Sequence, residues 1–154
     1  MSDMMNPVMQ AQDEIAETLR AVPWFAQNHV EIIEQNKADL AFLLQKSIAA
    51  IKGVSMVIGC DSVTNQQSLL EMYVTITAIE NVPLNRVGEE WGSAIDAVQA
   101  AIQVLDGPWW HFEELTHDTP AERVLAATAT MRGLINRDFF YNRQQSTDNE
   151  NSNQ

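Results

Sequence analysis

Basic residues are scarce in this chain. Nine lysines and arginines stand against 21 aspartates and glutamates, giving a formal net charge of -12 over 154 residues. Such a surface repels phosphate and anionic membranes at long range, which argues against specific nucleic-acid binding. Cysteine is almost missing as well. Cys60 alone cannot form an intrachain disulfide, and at the end of an apolar run it reads as a small buried hydrophobe, a usage that suits a reducing compartment. No apolar stretch approaches the roughly 20 residues of a membrane helix. The start, MSDMMNPVMQAQDE, lacks the basic and apolar segments of a secretory signal. A soluble, cytoplasmic protein without membrane contact is therefore expected. Chemistry-bearing motifs are missing too: there is no phosphate-binding glycine loop, HExxH, CxxC or G-x-S-x-G. No catalytic residue, cofactor or metal is expected.

What is present suits a globular domain. Hydrophobic residues make up 45% and charged residues 19%, ordinary values for a chain that buries its own core. Residues 1–143 read as one domain opening with a helix. The segment 144–154, QQSTDNENSNQ, has no apolar residue and reads as a disordered polar tail.

Periodicity supplies the elements. Val8, Ala11, Ile15 and Leu19 recur at helical spacing behind Asn6-Pro7, which predicts a helix from Pro7 to Arg20. Val30, Ile32 and Ile33 predict a short strand. Leu40, Leu43, Leu44, Ile48 and Ile51 mark a helix that follows a capping box at Asn36–Asp39 and is closed by Gly53. VSMVIGC, Val54–Cys60, is apolar on both faces, as in a strand covered from both sides. Ser62–Ser68 reads as a polar connection, a long loop between antiparallel neighbours.

The clearest strand follows. Leu70, Met72, Val74, Ile76 and Ala78 fall on one side, Glu71, Tyr73, Thr75, Thr77 and Ile79 on the other. Glu80-Asn81, Pro83 and Asn85-Arg86 then form a polar turn. Behind it Trp91, Ala94, Ile95, Val98, Ile102 and Leu105 make an amphipathic helix, with Glu89 and Glu90 in its first turn and Asp106-Gly107-Pro108 at its end. Trp109–Leu115 predicts a strand. Thr119-Pro120-Ala121-Glu122 is a capping-box signal for a helix, yet Arg123–Ile135 alternates like a strand. The strand is favoured, paired with Trp109–Leu115 through the turn HDTPAE. The fold class expected is α+β: a mainly antiparallel sheet of four or five strands with two or three helices packed on it.

Candidate chemistry is thin. Asp61 and Glu71 evoke the spaced acids of metal-dependent nucleases, but Tyr73 stands where such a site wants a lysine. His111, Glu113, Glu114 and His117 can be drawn as a metal cluster, although a turn at Asp118-Thr119-Pro120 would break their common face, leaving solvated polar residues. On a strand, Trp109 and Trp110 point to opposite faces; either both are covered within the chain, or one anchors a protein contact. Asn81 and Asn85 either satisfy turn backbone or join Glu80 and Arg86 at a contact with another molecule.

The stretch YVTITAIENVPLNR with its following helix, preceded by NKADLAFLLQKSIAAIKGVSMVIG, resembles the tail-terminator and neck proteins of tailed bacteriophages. The resemblance spans residues 29–135. It implies a structural virion protein without catalytic activity, assembled in the host cytoplasm as a ring, commonly a hexamer. Its implied partners are further copies of itself, the tail tube protein and a head-to-tail connector. DNA would pass through the lumen without being bound. The candidate contact residues are Glu80, Asn81, Asn85, Arg86, Trp109 and Trp110. Two other classes stay in view: a metal-dependent nuclease, and a cytosolic adaptor or small-ligand domain.

Overall fold

A computed structural model of the chain describes residues 7–35, 53–66, 69–85 and 92–136. The predicted helix over 40–52 with its capping box, Arg86, Glu89, Glu90, Trp91 and the polar tail lie outside the described residues.

The chain forms an α+β fold in which helices α1 (Pro7–Arg20), α2 (Pro23–Gln27), α3 (Val82–Asn85) and α4 (Ala94–Leu105) accompany strands β1 (Val30–Glu34), β2 (Val54–Gln66), β3 (Leu69–Asn81), β4 (His111–Ala121) and β5 (Val124–Asn136). The five strands make one sheet in the order β1-β2-β3-β5-β4. Only the β1–β2 pair is parallel. The long alternation of Leu69–Asn81 thus becomes the central strand, hydrogen-bonded on both sides.

Register explains the core. Met56 faces Ala78, Ile58 faces Ile76, and on the other side Met131 and Ala129 face Val74 and Ile76. All of these are buried, and they share one cluster with Ile15 and Leu19 of α1 and Ala97, Val98 and Ala101 of α4. Helix α1 lies over β1 and β2, and α4 over β2, β3 and β5. The small residues Ala127 and Ala129 of β5 meet the alanine-rich face of α4, which allows a close helix–sheet approach. Arg20, in the last turn of α1, ties the helix to β1: Nη2 donates to the Ile32 carbonyl at 2.8 Å, and Nη1 lies 3.5 Å from the buried Glu34 carboxylate.

The structure departs from the sequence reading at both hairpins. Ser62–Gln66 is not a loop. It continues β2 past a bulge between Cys60 and Ser62, paired with Leu69–Tyr73. Residues 61–65 are exposed, so this stretch of strand shows a polar composition that resembles a loop. The second hairpin turns later than HDTPAE. β4 runs on through a bulge between Asp118 and Ala121, and the reversal falls at Glu122 and Arg123, whose φ is +69°. The capping box at Thr119 starts no helix. Pro120 is tolerated there because it sits in a bulge of an edge strand, where no ladder hydrogen bond is lost. Arg123–Ile135 is the favoured strand, over Val124–Asn136. The helix predicted from Trp91 is described from Ala94, with Ser93 as its cap.

Candidate interaction surface

The polar end of β3 turns inward. Glu80 and Asn85 are each 1% exposed. Asn85 Nδ2 donates to Glu80 Oε2 at 2.6 Å and to the Gly92 carbonyl at 3.2 Å. The other oxygen, Glu80 Oε1, accepts the Ala94 N–H at 3.1 Å. A carboxylate at this position satisfies a first-turn donor of α4 and meets the positive end of its dipole. The Gly92 N–H donates to Asn28 Oδ1 at 3.0 Å, and Asn28 Nδ2 in turn donates to the Trp24 carbonyl at 2.9 Å. Ser93 and Asp96 complete a reciprocal capping box. The network therefore locks α2, the end of β3 and the start of α4 together. Asn81 is half-buried and pairs with Val124.

The strand predicted from Trp109 begins only at His111, so the two tryptophans lie in the turn before β4, and they differ in burial. Trp110 is 7% exposed and Trp109 51%. Trp110 lies against Gly133, where a Cβ would come within 2.6 Å of its ring. Trp109 borders a small hollow of about 210 Å³ with Ile15, Val104 and Pro108. A wider groove of about 610 Å³ runs between α2 and α4, lined by Trp24, Asn28, Asp96, Ala100 and Val104 among others.

The acids singled out for catalysis are dispersed. Glu71 accepts two hydrogen bonds from Arg132, at 3.0 Å from Nε and 2.6 Å from Nη2. These bonds hold the Arg132 guanidinium above its usual pKa. Asp61 is exposed at the β2 bulge. Among the described residues no three His, Cys, Asp or Glu side chains gather as a metal ion would need. His111 and His117 fall on opposite faces of β4, since the bulge after Phe112 resets the alternation: His111 pairs with Arg132 and His117 with Ala127.

The feature that sequence reasoning missed is the state of β4. It is the last strand of the sheet. From His111 to Pro120 every residue is exposed except the half-buried Leu115. Among the described residues the helices lie over the other strands and no strand pairs with the outer edge of β4, while its Leu115 packs against the core. Phe112 is 40% exposed on it, on the face of Met131, and Leu134 of β5 is equally exposed on the opposite face. A signal was present: from Phe112 to Ala121 the segment holds one large aliphatic residue, Leu115, too few for a strand buried on either face.

No known protein family matches the chain, and no curated protein matches it. Two solved structures from Akkermansia muciniphila align with it. One has a TM-score of 0.37 at 8% identity, over 88% of this chain and 82% of that one. The other, of a protein without its transmembrane region, has a TM-score of 0.35 at 8% identity, over 88% and 90%. Similarities this slight carry no argument about function.

Proposed function

We propose that the chain is a structural, non-catalytic subunit of the tail-terminator or neck type, forming a ring that closes a phage tail tube and joins it to the head connector. The observation that supports this reading best is β4. An 11-residue strand that is exposed from His111 to Pro120 except at Leu115, and that pairs along one edge only among the described strands, gains little from its own fold beyond the ladder to β5. Strands of this kind find their missing contacts in other chains, here the tube or connector protein that the ring would join and not the next copy in the ring. Exposed Phe112 on it and exposed Trp109 just before it add apolar anchors for such contacts.

Two further features fit the same reading. The resemblance of Tyr73–Arg86 and its helix to tail terminators lies on the central strand and its connection to α4. The net charge of -12 disfavours phosphate contacts, as a conduit for DNA requires. Glu71, the second acid of the nuclease reading, is paired with Arg132.

Negative-stain microscopy of the purified chain, with and without tail tubes, tests the proposal. Rings or capped tubes are expected. A chain that stays monomeric and leaves tube ends bare would overturn it. In a ring, acidic side chains confined to the outer wall would separately defeat the conduit argument.

A further inference from the structure

We propose that the outer edge of β4 receives a cationic extended segment of a different protein, which adds to the sheet as one more strand. The proposal names a partner for the surface on which the assembly reading rests, but it stands on the geometry of β4 itself.

The inner edge of β4 is taken by β5, and the sheet order ends at β4, so its outer edge faces no described strand. Bulges interrupt the ladder between Phe112 and Glu114 and between Asp118 and Ala121. Between them, Glu114–Asp118 keeps regular register against Ala126–Thr130. This leaves a straight template of about 16 Å at ~3.3 Å per residue.

Side-chain charge decides who can use it. Glu113, Glu114 and Asp118 lie on the strand, and no lysine or arginine occurs from His111 to Ala121. The cation directly behind the strand, Arg132 on β5, is held by Glu71. A second copy pairing antiparallel through its own β4, centred on Thr116, would set Glu114 against Asp118 twice. The opposite edge of the sheet, β1, offers exposed Glu31. Like charges set directly opposite destabilise a strand pair. Bulges, Pro120 and acids together are the usual guard of an exposed edge. Here the guard carries a single sign, so it rejects copies of this acidic chain and attracts a cationic strand.

The register also sets the pattern of that strand. Glu114, Thr116 and Asp118 share one face, paired with Thr130, Thr128 and Ala126, while Leu115 lies on the helix-bearing face. The matching segment therefore carries cations at its first and fifth positions, a small polar residue at the third, and apolar residues between them. One of its apolar residues lies beside Leu115 and the other beside the exposed His117, and its backbone completes the ladder.

A fluorescein-labelled peptide Thr-Lys-Val-Thr-Val-Lys-Thr, with a control in which both lysines are glutamate, probes the edge of the full-length chain. The lysine peptide should bind at micromolar concentration, weaken with added salt and slow amide exchange across Glu114–Asp118. The glutamate peptide should not bind. The variant Glu114→Lys/Asp118→Lys should reverse the preference. Glu17→Lys/Glu31→Lys changes the net charge equally at other exposed sites and should leave it intact. Equal binding to both double variants, binding without slowed exchange in Glu114–Asp118, or no binding at millimolar peptide each overturns the proposal. Peptide binding without rings or capped tubes in microscopy would sink the ring reading and keep this one; the converse result would do the opposite.

Discussion

Asn85 and Glu80 meet side chain to side chain at 2.6 Å inside the fold, five residues apart across the end of β3. The pair converts a polar turn into an internal fastening: one carboxylate holds the turn through Asn85 and the start of α4 through Ala94. Removing it strands two buried donors. Glu80→Ala should cost about 3 kcal/mol in urea unfolding, and Glu80→Gln less, because the amide oxygen can still accept one of the bonds. Asn85→Asp sets two carboxylates together. That variant should be destabilised at neutral pH and recover as pH falls, since protonating one carboxyl of the pair relieves the repulsion. A pH-independent loss would show that the contact with Gly92, not with Glu80, dominates.

This fastening shows what a sequence pattern can and cannot carry. The alternation of Leu69–Asn81 announced a strand with one apolar face, and the structure uses that face as the centre of the core. Whether Glu80 and Asn85 faced solvent depended on where residues 28 and 92–94 come to lie, which no local pattern reports. The same limit explains Ser62–Gln66: polarity reports exposure, and an exposed strand extension and a loop look alike. At Thr119 a strong local signal for a helix lost because the residues that helix would have taken, Val124–Asn136, pair with β3 on one side and β4 on the other.

Gly133 and Trp110 make a second exacting contact. An added methyl at 133 would meet the indole ring at 2.6–2.7 Å and the Trp109 carbonyl at 3.2 Å. Gly133→Ala should therefore lower stability by about 2 kcal/mol, the range of an overpacked core site. Tryptophan emission should shift to the red as the ring is displaced. An unchanged spectrum with unchanged stability would mean that the strand yields instead of the ring.

Cys60 is half-buried at the β2 bulge, its Sγ donating to the Ser62 carbonyl at 3.6 Å. Burial pushes the thiol pKa up, a backbone hydrogen bond from Ser62 to the sulfur opposes this, and the neighbouring Asp61 adds to the rise. Less thiolate is then present at pH 8 than in a free cysteine, so iodoacetamide should modify Cys60 more slowly than a small-molecule thiol. Because the folded pKa is raised, the fold favours the protonated form. Its contribution is complete at neutral pH and is lost as pH rises through the folded pKa. Asp61→Asn should speed alkylation modestly; no change would mean that burial alone governs the thiol.

Arg132 and Glu71 link β5 to β3 diagonally across the sheet face that lies opposite α1 and α4. A double-mutant cycle with Glu71→Gln and Arg132→Met should give favourable coupling that shrinks with added salt, as an ion pair at the surface requires. Coupling indifferent to salt would point to packing of the arginine stem against Tyr73 instead.

Trp109 and Trp110 should part completely under mutation. Trp110→Ala empties a buried site against Gly133 and should cost about 4 kcal/mol, read by thermal or urea unfolding. Trp109→Ala removes a ring already half in solvent and should cost about 1 kcal/mol or less. If Trp109 anchors a contact between chains, its loss shows elsewhere: tube capping or ring formation should fall sharply while the monomer's unfolding curve barely moves. Equal losses of stability in the two variants would make Trp109 a core residue and remove it from the interaction surface. A Trp109 variant that folds and caps tubes normally would leave β4 to carry that surface alone.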